Sequence, residues 1–331
     1  MVRRDFLGIA GALAAGATMS GTANTTPRAA ASKPTGAAAF RTARRMAKTS
    51  FGEIAYFERG RGDAALFLHG FPLNGFQWRG AIDRLSAHRR CVAPDFMGLG
   101  YTEVAPGQSV APDAQVAMLV ALLDALGIAR VDLVANDSGG AVAQLFIARH
   151  RERVRTLLLT NCDTEPDSPP PAMKPVLEMA RAGTFADAWL AKWLADKNLA
   201  RSAEGIGGMT YTYRAHPSDE AIDYYLAPLV ASPERKALLH AYALGLDPNP
   251  LAGIERELKR CSVPTRIVWG TGDDIFRFDS AAYLDRTLPK SRGVRYLEDA
   301  KLFWPEEFPE VIADEARGLW AVSPLPLAGE G

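Results

Sequence analysis

The segment Leu133-Val134-Ala135-Asn136-Asp137-Ser138-Gly139-Gly140 constrains this chain more than any other. A strand-like apolar run passes with no spacer into residues 139–149, whose apolar positions recur with helical spacing. The chain must therefore turn sharply between a strand and a helix. Small residues at Ala135 and Gly139 make room for that bend, which lifts the side chain between them clear of the strand.

The rest of the chain repeats the alternation. Short apolar runs predict strands at residues 53–58, 64–68, 90–94, 130–135, 153–160, 265–269 and 294–297. Helical spacing appears at 111–126, 139–149 and 307–320. Strands alternating with helices make an α/β fold with a mostly parallel sheet flanked by helices. We expect the core over residues 49–164 and 258–321. Between these, residues 165–257 break the rhythm with a Pro-rich turn at 168–171, then Ala/Leu/Trp-rich helices and tyrosines, and we read them as a helical cap inserted between two strands. Residues 32–48 lack periodicity and read as a linker, and residues 322–331 as a mobile tail.

The chain of 331 residues carries 38 basic against 38 acidic side chains, without the basic excess of a protein that lives on phosphate backbones, so nucleic acid is not an expected partner. With 23% charged and 48% hydrophobic residues it is neither a disordered chain nor a many-span membrane protein. Arg3-Arg4-Asp5-Phe6-Leu7 precedes a Gly/Ala-rich apolar run to Met19 and small residues at Gly21-Thr22-Ala23, so residues 1–31 resemble a twin-arginine export signal. That run is too short for a permanent membrane span, which needs roughly 20 apolar residues. Twin-arginine export machinery is the expected partner and the periplasm or exterior the expected location. The three arginines and one aspartate of residues 1–31 give +2, leaving −2 on the exported body. Cys91, Cys162 and Cys261 show no C-x-x-C spacing and adjoin apolar runs, which favours buried thiols over a metal site.

Two more loops close strands with glycine: Leu68-His69-Gly70-Phe71-Pro72 and Asp95-Phe96-Met97-Gly98-Leu99-Gly100. Ligands bind at the carboxyl ends of parallel strands, so both loops share a face with the turn at Asp137. With Gly270-Thr271-Gly272-Asp273 they stand in the order and spacing of the α/β-hydrolase superfamily, which about residues 50–320 resemble. The resemblance makes the turn a nucleophile elbow. The register with Ala135 and Gly139 flanking implies Asp137 as nucleophile, similar to the branch of haloalkane and haloacetate dehalogenases and epoxide hydrolases. There an aspartate attacks carbon to form an ester, which a histidine-activated water cleaves. The alternative register implies a serine esterase using Ser138, with Asn136 a poorer fit than Ala at the crowded first position. Asp137 would also serve as an ordinary helix N-cap.

What the resemblance implies for other positions follows residue by residue. The backbone N–H groups of Phe71 and Ser138 form the oxyanion hole, His69 supports its loop, and Asp273 is the triad acid, with Asp163 and Asp274 as substitutes. Leu302 occupies the position of the branch's histidine, in Lys301-Leu302-Phe303-Trp304-Pro305-Glu306-Glu307. A hydrocarbon cannot polarise water. None of His88, His150, His216 and His240 lies in a matching motif, and Lys301 would need a strongly lowered pKa to act as a base. In the resembled dehalogenases Trp or Arg follows the nucleophile, where this chain has Ser138. Trp189, Tyr211, Tyr213 and Tyr224 are candidate substrate-pocket residues, with Tyr225 and Trp193 beside them. The expectation is a hydrolase acting on a small, largely apolar molecule, with no cofactor and no metal; the alternative is a ligand-binding pseudoenzyme of the same fold.

Overall fold

The computed structural model describes residues 35–321, so the expected export signal and tail lie outside the described residues. The strands are β1 (Arg45–Thr49), β2 (Gly52–Arg59), β3 (Ala64–Leu68), β4 (Arg90–Pro94), β5 (Glu103–Val104), β6 (Val131–Asp137), β7 (Val154–Cys162), β8 (Thr265–Gly270) and β9 (Ser291–Leu297). They form one sheet in the order β1-β2-β4-β3-β6-β7-β8-β9, with β5 on β2. Strands β4 through β9 in that order pair parallel, whereas β1, β2 and β5 pair antiparallel at one end. All residues of β3 and of β6 are buried, as expected of central strands covered on both faces.

The helices before the insertion are α1 (Ala37–Ala43), α2 (Arg79–Leu85), α3 (Pro112–Ala125) and α4 (Ser138–His150). Helix α3 packs on α4, and α4 lies against β6 and β7. Between β7 and β8 come α5 (Lys174–Arg181), α6 (Ala191–Ala195), α7 (Lys197–Arg201), α8 (Ile206–Thr210), α9 (Asp219–Val230), α10 (Pro233–Leu244) and α11 (Glu255–Leu258). Then α12 (Asp279–Thr287) packs on β8 and β9, and α13 (Trp304–Glu307) leads into α14 (Pro309–Ala321), which packs on α2. No helix among the described residues is long and apolar enough to cross a membrane.

The linker expected at 32–48 needs correction. Its described part folds as α1 and β1. Phe40 is 3% exposed and stacks on Phe57 at a centroid distance of 4.1 Å, while β1 extends the sheet by pairing with β2. One anchoring aromatic and a five-residue edge strand make no sequence period, because their stability comes from partners distant in the chain.

All three cysteines are free and buried, and burial raises each thiol pKa, Cys91 to about 12. The strand-to-helix turn is packed backbone against backbone: a Cβ on Gly139 would lie 2.5 Å from the His69 carbonyl oxygen and 2.7 Å from that of Leu68. Gly139→Ala is expected to lower stability by about 1–3 kcal/mol, read as a shifted urea midpoint, since the backbone of β3 cannot give way. An unchanged midpoint would show that the turn is looser than this packing requires.

Candidate active site

Strand β6 ends at Asp137 and α4 begins at the next residue. Asp137 has φ 56° and ψ −135°, a left-handed conformation that costs a non-glycine residue about 1–3 kcal/mol. The turn therefore singles out Asp137, 7% exposed, rather than Ser138, which is already helical. Asp137 Oδ1 accepts the backbone N–H of Phe71 at 3.3 Å and that of Ser138. Burial pushes its pKa up to about 6 against the opposing effect of hydrogen bonding, chiefly from those two N–H groups.

Ser138 Oγ lies 3.0 Å from Tyr242 Oη, a hydroxyl supplied by α10. Tyr242 is buried and stacks on Phe71 with the rings 5° from parallel. Sequence reasoning missed Tyr242, because nothing near it in the chain marks the contact with Ser138.

The loops around the turn are fastened by neutral groups. His69 Nδ1 lies 2.9 Å from the Gly70 carbonyl oxygen, and its Nε2 accepts the Phe96 N–H at 3.0 Å. Burial lowers its pKa to about 4, so near neutral pH it acts as a neutral fastener. Asn136 Nδ2 donates to Thr160 Oγ1 at 2.9 Å and to the backbone carbonyls of Asn161 and Leu302 at 3.0 and 3.1 Å. Its Oδ1 accepts from Gln77, whose Oε1 accepts the Gly70 N–H, so one network ties the loop after β3 to the segment holding Leu302.

Asp137 opens onto a cavity of about 200 Å³, walled by Phe71 from the core, Phe185 and Trp189 from the insertion, and Leu302 and Phe303 from the segment after β9. Among the described residues the only titratable side chains on its lining are Asp137 and Asp163. Asp163 follows β7, is 2% exposed, and accepts a 2.7 Å hydrogen bond from Ser168 Oγ. Burial first, then the charge of Asp137, push its pKa up to about 8.

Several sequence expectations change here. Of the candidate pocket residues Trp189 lines the cavity, as does Trp193, but Tyr211, Tyr213 and Tyr224 do not. Tyr211 donates its hydroxyl to Glu306 at 2.7 Å, Tyr213 is 53% exposed, and Tyr224 packs among Phe40, Phe76 and Tyr101. Tyr211 and Tyr224 thus serve packing and hydrogen bonding rather than the cavity wall, and Tyr213 lies at the surface. Asp273 is also off the lining: it accepts from Asn161 Nδ2 at 2.8 Å and from the Ile275 N–H at 2.9 Å, with burial raising its pKa to about 7. Leu302 lines the cavity and is 2% exposed. No histidine lines the cavity; His240 Nε2 accepts the Ala186 N–H at 3.1 Å, and Lys301 Nζ donates to the Gly208 carbonyl at 2.6 Å.

Asp163 carries a stability prediction. Facing it are Asp137, Asp167 and the Tyr242 hydroxyl, none of which supplies positive charge. Its folded pKa lies above the unfolded value of 3.8, so the fold retains a proton that the unfolded chain releases, and stability is lost as pH rises from about 4 to about 8. Asp163→Asn removes this dependence. The variant should gain stability relative to the parent across that window, measured by urea unfolding at pH 5 and pH 8.5; a pH-independent difference would contradict a proton held at Asp163.

This fold and this turn define the class of protein, and comparison agrees: the chain belongs to the alpha/beta hydrolase fold family, whose model matches residues 64–301. Haloalkane dehalogenase 2 of Mycobacterium bovis is 27% identical over 270 residues, covering 80% of this chain and 90% of that protein. The 2-hydroxy-6-oxo-2,4-heptadienoate hydrolase of Pseudomonas putida is 40% identical over 103 residues; the match spans 30% of this chain and only 37% of the relative. Among solved structures, haloalkane dehalogenase DbeA from Bradyrhizobium elkani has a TM-score of 0.69 at 25% identity, and a thermophilic esterase from Thermogutta terrifontis 0.68 at 26%. Each alignment covers 85% of this chain and 99% of the other.

Proposed function

We propose that this protein is a hydrolase that attacks a small, largely apolar carbon electrophile through Asp137. One observation carries the reading: two backbone N–H groups hold Oδ1, while Oδ2 of the same carboxylate has no donor among the described residues and Asp137 borders an apolar cavity. Oδ2 attacks a saturated carbon; the new C–O bond forms as the bond to the leaving atom breaks, and that atom takes the electron pair. Water then attacks Cγ of the resulting ester; the acyl C–O bond breaks, the alcohol departs with one proton of the water, and the regenerated Asp137 carboxyl group releases the other to solvent. The charge that develops on Oδ1 is met by the Phe71 and Ser138 N–H groups, already in place. The haloalkane dehalogenases among the relatives support an electrophile of this type.

A specific observation favours a second reading, a binding protein of the same fold: no imidazole lines the cavity. Intact-mass measurement separates the two. Under the first, a short bromoalkane or a small epoxide adds its alkyl mass to the protein or is turned over. Ligand-induced thermal stabilisation with neither mass gain nor turnover would identify a binding protein. Labelling of Ser138 by a fluorophosphonate would move the nucleophile to serine, whose hydroxyl here is engaged with Tyr242.

A further inference from the structure

We infer that Asp163 is the acid–base residue of this site, taking the place of an imidazole, and that the substrate is an epoxide rather than an alkyl halide. This rests on the reading of Asp137 as nucleophile.

Asp163 is placed for the role by the sheet. Asp137 pairs with Cys162 across β6 and β7, so the next residue on β7's side reaches the same cavity at the adjacent carboxyl end. The Ser168 hydroxyl holds Oδ1, and Oδ2 has no partner among the described residues. No lysine or arginine among the described residues pairs with it. The neighbouring phenol groups are committed elsewhere: the Tyr211 and Tyr225 hydroxyls donate to Glu306, and Tyr242 is bound to Ser138 and off the cavity wall.

A carboxyl group in these surroundings keeps its proton near neutral pH, because burial and the neighbouring carboxylates oppose its charge. That state suits ring opening. Asp137 Oδ2 forms the C–O bond, the ring C–O bond breaks, and the departing oxygen takes the Asp163 proton to become a hydroxyl still attached to the alkyl ester. Asp163 is now a carboxylate. It accepts a proton from water as the water oxygen attacks Cγ of the ester; the ester's alkyl C–O bond stays intact while the acyl C–O bond breaks. The freed alkoxide oxygen of the product takes that proton from Asp163, leaving a diol, Asp137 as the carboxylic acid and Asp163 as the carboxylate; passage of the Asp137 proton to Asp163 through water restores the ionised nucleophile and the protonated acid. The balance is epoxide plus water to diol. A halide departs as an anion without a proton, so it would leave Asp163 protonated and unable to serve as the base. An epoxide alone sets up its own second step.

The test uses the full chain and Asp163→Asn, which retains the shape and the oxygen that accepts from Ser168. Rapid-quench intact mass is followed with a small epoxide and with a bromoalkane. Alkylation by the epoxide should slow by about 10²-fold or more in Asp163→Asn, the usual size of an acid–base contribution, while alkylation by the bromoalkane stays within a few-fold of the parent. In the parent, epoxide opening should fall as pH rises through about 8, and the variant's residual rate should not follow that profile. Equal epoxide alkylation and equal ester hydrolysis in both proteins would overturn the assignment of Asp163 while leaving Asp137 in place. Absence of any mass gain or turnover in the parent with either reagent would overturn the nucleophile reading and this inference with it.

Discussion

Asp137→Asn is expected to abolish alkylation by every carbon electrophile that the parent accepts, a loss of at least about 10³-fold in the first chemical step. The carboxamide matches the carboxylate in shape, and its oxygen can still accept the Phe71 and Ser138 N–H groups. What it lacks is the anionic Oδ2 to which the proposed mechanism assigns the new bond. Folding should survive. Asn is as good an N-cap as Asp, and the substitution removes a buried charge whose pKa burial has raised to about 6. Circular dichroism should therefore be unchanged while the adduct disappears. In the parent, alkylation should fall as pH drops through about 6, because protonation removes the attacking anion. Persistence of the adduct in Asp137→Asn would move the nucleophile to another residue.

Glu306→Ala is expected to be the most destabilising of the substitutions considered, by about 3–5 kcal/mol, equivalent to a fall in Tm on the order of 10 °C. Glu306 Oε1 accepts from Arg79 of α2 at 2.7 Å, while its Oε2 accepts the hydroxyls of Tyr211 and Tyr225, each at 2.7 Å. Burial disfavours the Arg79 charge, but Glu306 and the two tyrosines more than restore it. Removing the acid leaves a buried guanidinium uncompensated and two hydroxyls without their acceptor. The same cluster ties the core to the insertion, so the loss should also loosen the wall that holds Trp189 over the cavity. A loss below about 1 kcal/mol by thermal melting would show that the cluster contributes little net stability.

Much of the fold was legible because its causes are local. An apolar run announces β3, β6 or β7 through side chains that neighbour each other in the chain, and the predicted strand ends agree with the observed ones within about three residues. The segment around Asp137 was legible for the same reason, since Ala135, Asp137 and Gly139 must satisfy one steric problem within five residues. The helix and edge strand at residues 37–49 were not, because Phe40 and β1 depend on Phe57 and on pairing with β2. The tyrosines of the insertion misled for a related reason. Aromatic side chains look alike in sequence whether they face a ligand or, as with Tyr211, a buried carboxylate.

By itself the sequence determined the sheet-and-helix alternation and the sharp turn that presents Asp137. Steric and hydrophobic demands act over a few residues, so both left a local pattern. Only the tertiary structure decided which carboxylate shares the cavity with Asp137. Asp273 and Asp163 both follow strands and look equivalent in the chain. Strand order places β7 directly beside β6, and the insertion covers that edge with apolar side chains. Asp163 is thereby drawn into the cavity, while Asp273, one strand further away, is held by Asn161.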